Sequence, residues 1–188
     1  MKFIKMHGTG NLILVVDQRR GEAPVPSPER LRELADEKIG PGFDQLLWIN
    51  ATDDARCAAA YRVFNADGSE VAQCGNGARC VAAILAGEDG HAQSFTLSSP
   101  AGPIAASVGD DGRVAVSMGL PIFEPALVPF LADDVRERYR LEVAGVPYDV
   151  AVVSMGNPHC VLQVDDVATA PVERLGPLLT GAAVAGYR

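Results

Sequence analysis

The sequence predicts an α/β (α+β) protein in which short strands and a few helices are divided between two domains. Short apolar or alternating segments, typical of strands, recur along the chain between turns rich in Gly and Pro. Two segments carry helical signals instead, Pro28 to Ile39 and Ala78 to Ala86. A proline-punctuated stretch then separates a longer first part from a shorter second part, so we expect domains at residues 1–120 and 121–188.

The first domain is predicted to open with two strands around a glycine turn. The turn Gly8-Thr9-Gly10-Asn11 has two residues that tolerate unusual backbone angles, and it places Asn11 at the mouth of a strand. Ser27 and Pro28 form an N-cap and first helical position, and Gly40-Pro41-Gly42 ends that helix. The predicted strands are, in order, Lys2 to Met6, Leu12 to Asp17, Gln45 to Asn50, Arg56 to Asn65, Ser94 to Ser98, Pro103 to Val108 and Arg113 to Met118.

Alternation along the fourth strand, from Arg56 to Asn65, predicts that Cys57 shares an inward face with Tyr61 and is a core residue. The last three strands are separated by short glycine turns and therefore predict an antiparallel meander.

The second domain is predicted to begin after an extended segment punctuated by Pro121, Pro125 and Pro129, which we interpret as the linker. Its expected elements are three strands, interrupted by Gly156-Asn157-Pro158-His159, and a short final helix. They are Tyr139 to Ala144, Tyr148 to Met155, Cys160 to Asp165 and Val172 to Leu179.

Composition narrows the class of partner. The net charge of -8 disfavours a nucleic-acid-binding surface, because such surfaces concentrate Lys and Arg. The chain has no apolar run of about 20 residues and no signal-peptide core, which predicts a cytoplasmic protein without a membrane partner. Four cysteines without a CxxC pair are interpreted as thiols rather than disulfides or metal ligands. A small molecule is the expected partner.

Cys74 is the strongest candidate for chemistry. The run Cys74-Gly75-Asn76-Gly77 directly precedes the helical segment, so the thiol meets the unsatisfied N–H groups and the positive dipole end of a helix, which favour a thiolate. The flanking glycines leave the same amides open to a substrate carboxylate. Structural packing is the alternative role for an unpaired cysteine, and it suits Cys80 better, because Cys80 shares a helix face with apolar residues.

Several amides near predicted strand ends could bind a zwitterion, because an amide both donates and accepts hydrogen bonds. Taken singly, each is more often a turn residue. His159 lies beside Cys160 and could adjust the pKa of a neighbouring thiol. The candidate amides are Asn11, Gln45, Asn65, Asn76 and Asn157.

The run from Asn65 to Arg79, with Cys74-Gly75-Asn76-Gly77 near its end, closely resembles the first cysteine signature of the diaminopimelate epimerases. Three further segments resemble that family in order and spacing, so the similarity covers essentially the whole chain. They are Phe3 to Asn11, Gly42 to Leu47 and Gly156 to His159.

The resemblance implies two pseudo-symmetric domains, each a mixed, curved sheet around a central helix, with the second domain incomplete in this chain. It implies interconversion of LL- and meso-diaminopimelate on the route to lysine, with no cofactor and no metal, and it leaves a homodimer open. By motif match, Cys74 would be an acid/base residue and His159 would tune the cysteines. The residues expected to bind substrate are Asn11, Gln45, Asn65, Gly75, Asn76 and Asn157.

Members of the family continue through a Glu-Arg pair and a second cysteine motif, which this chain does not contain. The tail from Leu179 to Arg188 does not resemble that continuation and suggests an early stop or an altered reading frame. Because inversion of a carbon centre needs acid/base groups on both faces, we expect little or no epimerisation by this chain. Two alternatives stay open: a non-catalytic module that binds a small amino acid or a partner chain, and a relative of proline racemase, which Gln45 and the Asn65 to Arg79 run fit less well.

Overall fold

The structure is a computed structural model that describes residues 2–87 and 93–180. These residues form two compact units that divide after Met118. The predicted unusual tail falls largely on residues 181–188, which lie outside the described residues. In the parts of the chain that are described, no helix combines the length and apolar character that crossing a membrane requires.

The first unit is built on a mixed sheet. Its strands run in the order β1-β2-β3-β4-β6-β7-β8, with β5 paired to β4 outside this path. The pairs β2–β3 and β4–β6 are parallel and the others are antiparallel, as a mixed sheet requires. The strands are β1 (Ile4–Gly8), β2 (Asn11–Gln18), β3 (Gln45–Asn50), β4 (Ala59–Asn65), β5 (Glu70–Val71), β6 (Gln93–Ser99), β7 (Gly102–Val108) and β8 (Val114–Val116).

Helix α2 (Gly75–Gly87) lies inside this sheet. It contacts β1 and β8, the two ends of the strand order, as well as β2, β6 and β7. A helix reaches both ends of a sheet only if the sheet curls around it, so the first unit is a curled half-barrel with α2 at its centre. The apolar composition of α2 follows from that position, because a helix surrounded by protein is apolar on all sides. Its buried residues are Gly77, Ala78, Cys80, Val81, Ala82, Leu85 and Ala86.

The outer face of the central strands is covered by α1 (Pro28–Ala35), which buries Leu31 against Trp48 and its neighbours. Because β2 and β3 are buried on both faces, they are continuous apolar runs rather than alternating ones. The predicted N-cap is confirmed, since the Arg30 N–H donates to Ser27 Oγ at 3.3 Å.

The second unit has a three-stranded antiparallel sheet with the order β11-β10-β9. Its elements are β9 (Tyr139–Val143), β10 (Val146–Ser154), β11 (Pro158–Leu162) and the helix α3 (Val172–Thr180). The proline-punctuated stretch is not a bare linker, because Val128 and Phe130 are buried in the core of this unit. Ile122 also forms a β-bridge with Ser154.

Three predicted boundaries are wrong for local reasons. The first helix ends at Ala35, not Ile39, because Asp36 leaves the helical conformation and its carboxylate accepts the Lys38 N–H. Strand β4 begins at Ala59, because Asp54 holds the preceding residues in a turn.

Cys57 lies in that turn and is half-buried, so its prediction as a core residue of β4 is wrong. Helix α2 begins three residues before the predicted start at Ala78, which brings Gly75 and Asn76 into its first turn.

Candidate active site

Cys74 directly precedes α2 and is half-buried. Its Sγ donates to Gln45 Oε1 at 2.9 Å and accepts from the Gly77 N–H at 3.3 Å. The Gly77 amide belongs to the first turn, where N–H groups have no acceptor within the helix. The sulfur is therefore placed at the helix N-terminus, as the sequence predicts, with one partner for its proton and one for its lone pairs.

The glycines of the motif let the start of α2 pack closely against the sheet. A Cβ at Gly77 would lie 2.8 Å from Leu47 Cδ2, and a Cβ at Gly75 would lie 2.9 Å from Met118 Sδ. Leu47 is fully buried in the core of the first unit and has little freedom to move aside. Close approach thus explains why small residues surround Cys74.

Three of the predicted amides meet at one edge of the sheet. Asn11 is the first residue of β2, Gln45 the first of β3 and Asn65 the last of β4. Because β2 and β3 are parallel and β4 is antiparallel to β3, these three ends lie side by side. Asn11 Nδ2 donates to Gln45 Oε1 at 3.0 Å, and Gln45 Nε2 donates to Asn65 Oδ1 at 3.2 Å. The structure therefore joins all three to Cys74 in one network.

The fourth amide of this unit, Asn76, faces the other side of the helix start. Its Nδ2 is 3.4 Å from Thr9 Oγ1, and its Oδ1 accepts a hydrogen bond from the half-buried guanidinium of Arg79. Among the described residues the first-turn N–H groups of Gly75 and Asn76 have no hydrogen-bond acceptor, so they remain open to an anion.

An open cavity of about 340 Å³ lies against the helix start. Its volume is within the range of small-molecule sites. The cavity is lined by Cys74, Gly75, Asn76, Arg79, Val114, Val116 and Met118. Sequence reasoning missed Arg79 and Met118. The signal for Arg79 is its position three residues after Asn76 on a helix, whereas nothing in the sequence indicates that Met118 lies beside Gly75.

Two titratable neighbours of Cys74, Tyr61 and Cys80, are held neutral. Burial, and then the charge of the Cys74 sulfur, raises the pKa of Tyr61 to about 12 and also raises the pKa of Cys80 above its ordinary value. Neither group competes with Cys74 for proton transfer near neutral pH.

The remaining predicted residues lie in the second unit. Asn157 and His159 are exposed, and His159 Nε2 lies 3.1 Å from Asn157 Oδ1. His159 and Cys160 are successive residues of β11, so their side chains point to opposite faces of the sheet. Burial raises the pKa of Cys160. The proximity in sequence of His159 and Cys160 therefore does not translate into a contact.

Solved structures of proteins described as epimerases and a racemase are similar in fold to this chain. A hydroxyproline epimerase from Agrobacterium vitis matches 93% of this chain and 52% of its own with a TM-score of 0.62 and 15% identity. A probable proline racemase from Agrobacterium radiobacter matches 96% of this chain and 54% of its own with a TM-score of 0.64 and 16% identity. A predicted epimerase from Pseudomonas aeruginosa matches 89% of this chain over 62% of its own length, with a TM-score of 0.54 and 22% identity. These similarities establish the fold, and the chain spans about half the length of the first two proteins.

Comparison of the sequence with protein-family models identifies the family. The family model described as diaminopimelate epimerase matches residues 3–124, and the chain belongs to that family. The resemblance seen in the Asn65 to Arg79 run is thereby confirmed.

Proposed function

We propose that this chain provides one acid/base half of a cofactor-independent diaminopimelate epimerase, with Cys74 as its proton-transferring residue. One observation carries the proposal: the Cys74 thiol lies at the N-terminus of α2, hydrogen-bonded to Gly77 and Gln45, beside an open cavity. The first-turn amides of Gly75 and Asn76 would bind the substrate carboxylate and stabilise the charge that grows on it when the α-proton leaves.

In this proposal, the α-carbon of the substrate lies against Cys74. A thiolate at Cys74 takes the α-proton from one face, or a thiol at Cys74 delivers a proton to that face, depending on the direction of reaction. Asn11 and Asn65 supply neutral groups for the ammonium and carboxylate groups of the substrate. For Asn157 and His159, the proposed roles in substrate binding and in tuning a cysteine rest on the family resemblance alone. Gln45 makes three hydrogen bonds within the network and has one N–H left for a ligand.

Inversion also needs a second acid/base group on the opposite face of the carbon. The 188-residue sequence contains a single Cys-Gly-Asn-Gly motif. That motif supplies an acid/base group to one face of the α-carbon. A single group can remove a proton and return one to the same face, which exchanges hydrogen without changing configuration. We therefore expect the 188-residue polypeptide to exchange the α-hydrogen far faster than it inverts the centre.

The test is incubation of the polypeptide with LL- or meso-diaminopimelate in heavy water, followed by mass spectrometry and chiral chromatography. We expect deuterium at the α-carbon with little change of configuration. The Cys74→Ala variant should abolish this exchange, while Cys57→Ser should retain it. Rapid LL-to-meso conversion by the polypeptide would refute the one-face limit, and exchange that persists in Cys74→Ala would refute the role of Cys74.

A second candidate is a binding module that holds a small amino acid without turnover, which the open cavity beside Cys74 favours. Calorimetric binding of diaminopimelate without any deuterium uptake would identify this case. The same two assays with L-proline and trans-4-hydroxy-L-proline test a proline-racemase-like specificity.

A further inference from the structure

We infer that Asp67, a surface residue seven positions before the thiol in the sequence, is a positioning residue that favours the protonated form of Cys74 through a directional chain of hydrogen bonds. Its catalytic meaning rests on the proposed function, but the chain itself is a property of the folded first unit and can be tested without turnover.

Four hydrogen bonds connect Cys74 to Asp67. Ser69 Oγ donates to Asp67 Oδ1 at 2.6 Å, and Asn65 Nδ2 donates to Ser69 Oγ at 3.1 Å. Gln45 Nε2 donates to Asn65 Oδ1 at 3.2 Å, and Cys74 Sγ donates to Gln45 Oε1 at 2.9 Å. Each group therefore donates toward Asp67.

The direction of the chain is set by its charged end. A carboxylate only accepts hydrogen bonds, whereas a hydroxyl or an amide can present either polarity. Because the Ser69 hydroxyl has a single proton and gives it to Asp67, its oxygen accepts from the amide nitrogen of Asn65. The Asn65 oxygen then faces Gln45, and the Gln45 carbonyl in turn faces the thiol. Asn11 Nδ2 reinforces that orientation by donating to the same Gln45 oxygen at 3.0 Å.

Asp67 stays ionised over the working range of pH. Hydrogen bonds from the Ser69 hydroxyl and the Ser69 N–H hold the pKa of Asp67 below its ordinary value. Two further hydrogen bonds hold Asp67 in position. The Ser69 N–H donates to Asp67 Oδ1 at 2.8 Å, and Arg32 Nη1 donates to the Asp67 carbonyl at 3.0 Å.

A carbonyl facing the sulfur favours S–H over a thiolate, since two electron-rich atoms would otherwise face each other, and it therefore opposes the preference for a thiolate at the helix N-terminus. The hydrogen-bond chain thus favours the acid role of Cys74 in the return half of the exchange: the S–H bond breaks, the proton goes to the carbanion left by loss of the α-proton, and the sulfur keeps the electron pair. The Gly77 N–H at 3.3 Å then stabilises the negative sulfur.

The other titratable or charged groups around Cys74 do not set this preference. Tyr61 on β4 and Cys80 on α2 are neutral, and the Arg79 guanidinium in the same cavity favours the opposite state.

The test measures the alkylation rate of Cys74 by iodoacetamide between pH 6 and 10, resolved from the other cysteines by peptide mass spectrometry. Ser69→Ala interrupts the series of hydrogen bonds. Asp67→Asn removes the negative charge of the carboxylate while keeping an oxygen that can accept the Ser69 N–H. We expect both to raise the alkylation rate near pH 7 by about threefold, the effect of one net hydrogen bond. The pH midpoint should fall while the limiting rate at high pH stays unchanged.

Asp111→Asn is the matched control, because Asp111 also accepts a backbone N–H two residues later, from Arg113, in an exposed turn. A general loosening of the site would raise the limiting rate rather than move the midpoint. Gln45→Met, which removes the direct acceptor, should move the midpoint at least as far. If Gln45→Met moves the midpoint and the Asp67 and Ser69 variants behave like Asp111→Asn, the inference is overturned. That result would leave the deuterium test of Cys74 unaffected.

Discussion

At the scale of single residues, Tyr61 departs from the rule that buried polar atoms form hydrogen bonds. Its side chain is 1% exposed in the core of the first unit, and its hydroxyl has no hydrogen-bond partner within the described residues. Ser99 lies close enough to act against burial and lower the pKa of Tyr61, but the two hydroxyls do not meet the geometry of a hydrogen bond, and Ser99 Oγ donates to the Gly102 carbonyl at 2.8 Å. Burying an unpaired hydroxyl costs roughly 1–3 kcal/mol.

We therefore expect Tyr61→Phe to leave the free energy of unfolding unchanged or to raise it, measured by urea denaturation. Tyr139 is the matched control, because its hydroxyl accepts the Arg136 N–H at 2.9 Å and donates to the Asp134 carbonyl at 3.2 Å. Tyr139→Phe should lower the free energy of unfolding of the second unit, to which Tyr139 belongs, by about 1 kcal/mol. A loss in Tyr61→Phe as large as that in Tyr139→Phe would show that the Tyr61 hydroxyl does find a partner.

Much of the arrangement around the candidate site could be predicted at this scale. Cys74 and its glycines form a local motif, and a helix N-terminus can be recognised from the residues that begin it. The chain that links Asp67 to Cys74 was not predicted, because it depends on which strand ends are neighbours. Asn65 and Gln45 are 20 residues apart in sequence and meet only because β3 and β4 pair.

At the scale of elements, the short strand β5 is held to β4 by an ion pair. Arg62 Nε and Nη2 donate to the two carboxylate oxygens of Glu70 at 2.7 and 2.6 Å, and the guanidinium also lies 4.9 Å from the centre of the Phe64 ring. The hairpin formed by these strands carries the turn with Asp67. The hydrogen bonds from Arg62 hold the pKa of Glu70 below its ordinary value.

We expect Glu70→Gln to lower the free energy of unfolding by at most about 1 kcal/mol at pH 7, because both side chains are more than a third exposed. Since the folded-state pKa of Glu70 is lowered, the stabilisation is complete above the unfolded pKa of about 4.5 and is lost as pH falls through the folded value. The measurement is urea denaturation of both proteins between pH 7 and pH 3. Glu33→Gln, in a more exposed helical pair with Arg30, should have a smaller effect. A difference that does not decrease as the pH falls from 4.5 to 3 would contradict this explanation.

The elements themselves were largely predictable, whereas their ends were not. The meander of β6, β7 and β8 is confirmed, because glycine turns mark its corners. The end of α1 and the start of β4 were missed because Asp36 and Asp54 bind nearby backbone N–H groups and close turns there. Strand β5 has two residues, too few for any alternation to be seen.

At the scale of the whole molecule, the two units have separate apolar cores of different extent. Counted over residues 2–87 and 93–180, the first unit has one cluster inside the curled sheet and a second under α1, and the second unit has one cluster around β9 and β10 that is smaller than the first of these. The second unit also exposes apolar side chains on a short sheet, among them Val146 and Val161. A domain with its own core can unfold by itself, and the unit that buries less apolar surface has less to stabilise it.

We therefore expect urea to unfold the second unit before the first. The single tryptophan, Trp48, is 2% exposed in the first unit, so its fluorescence reports that unit alone, while far-UV circular dichroism reports both. The dichroism signal should change at lower urea than the fluorescence does. Val150→Ala, in the core of the second unit, should move only the earlier transition, and Val63→Ala, in the core of the first, only the later one. If the fluorescence and dichroism transitions coincide and shift together in both variants, the two units unfold as one cooperative unit and the prediction is wrong.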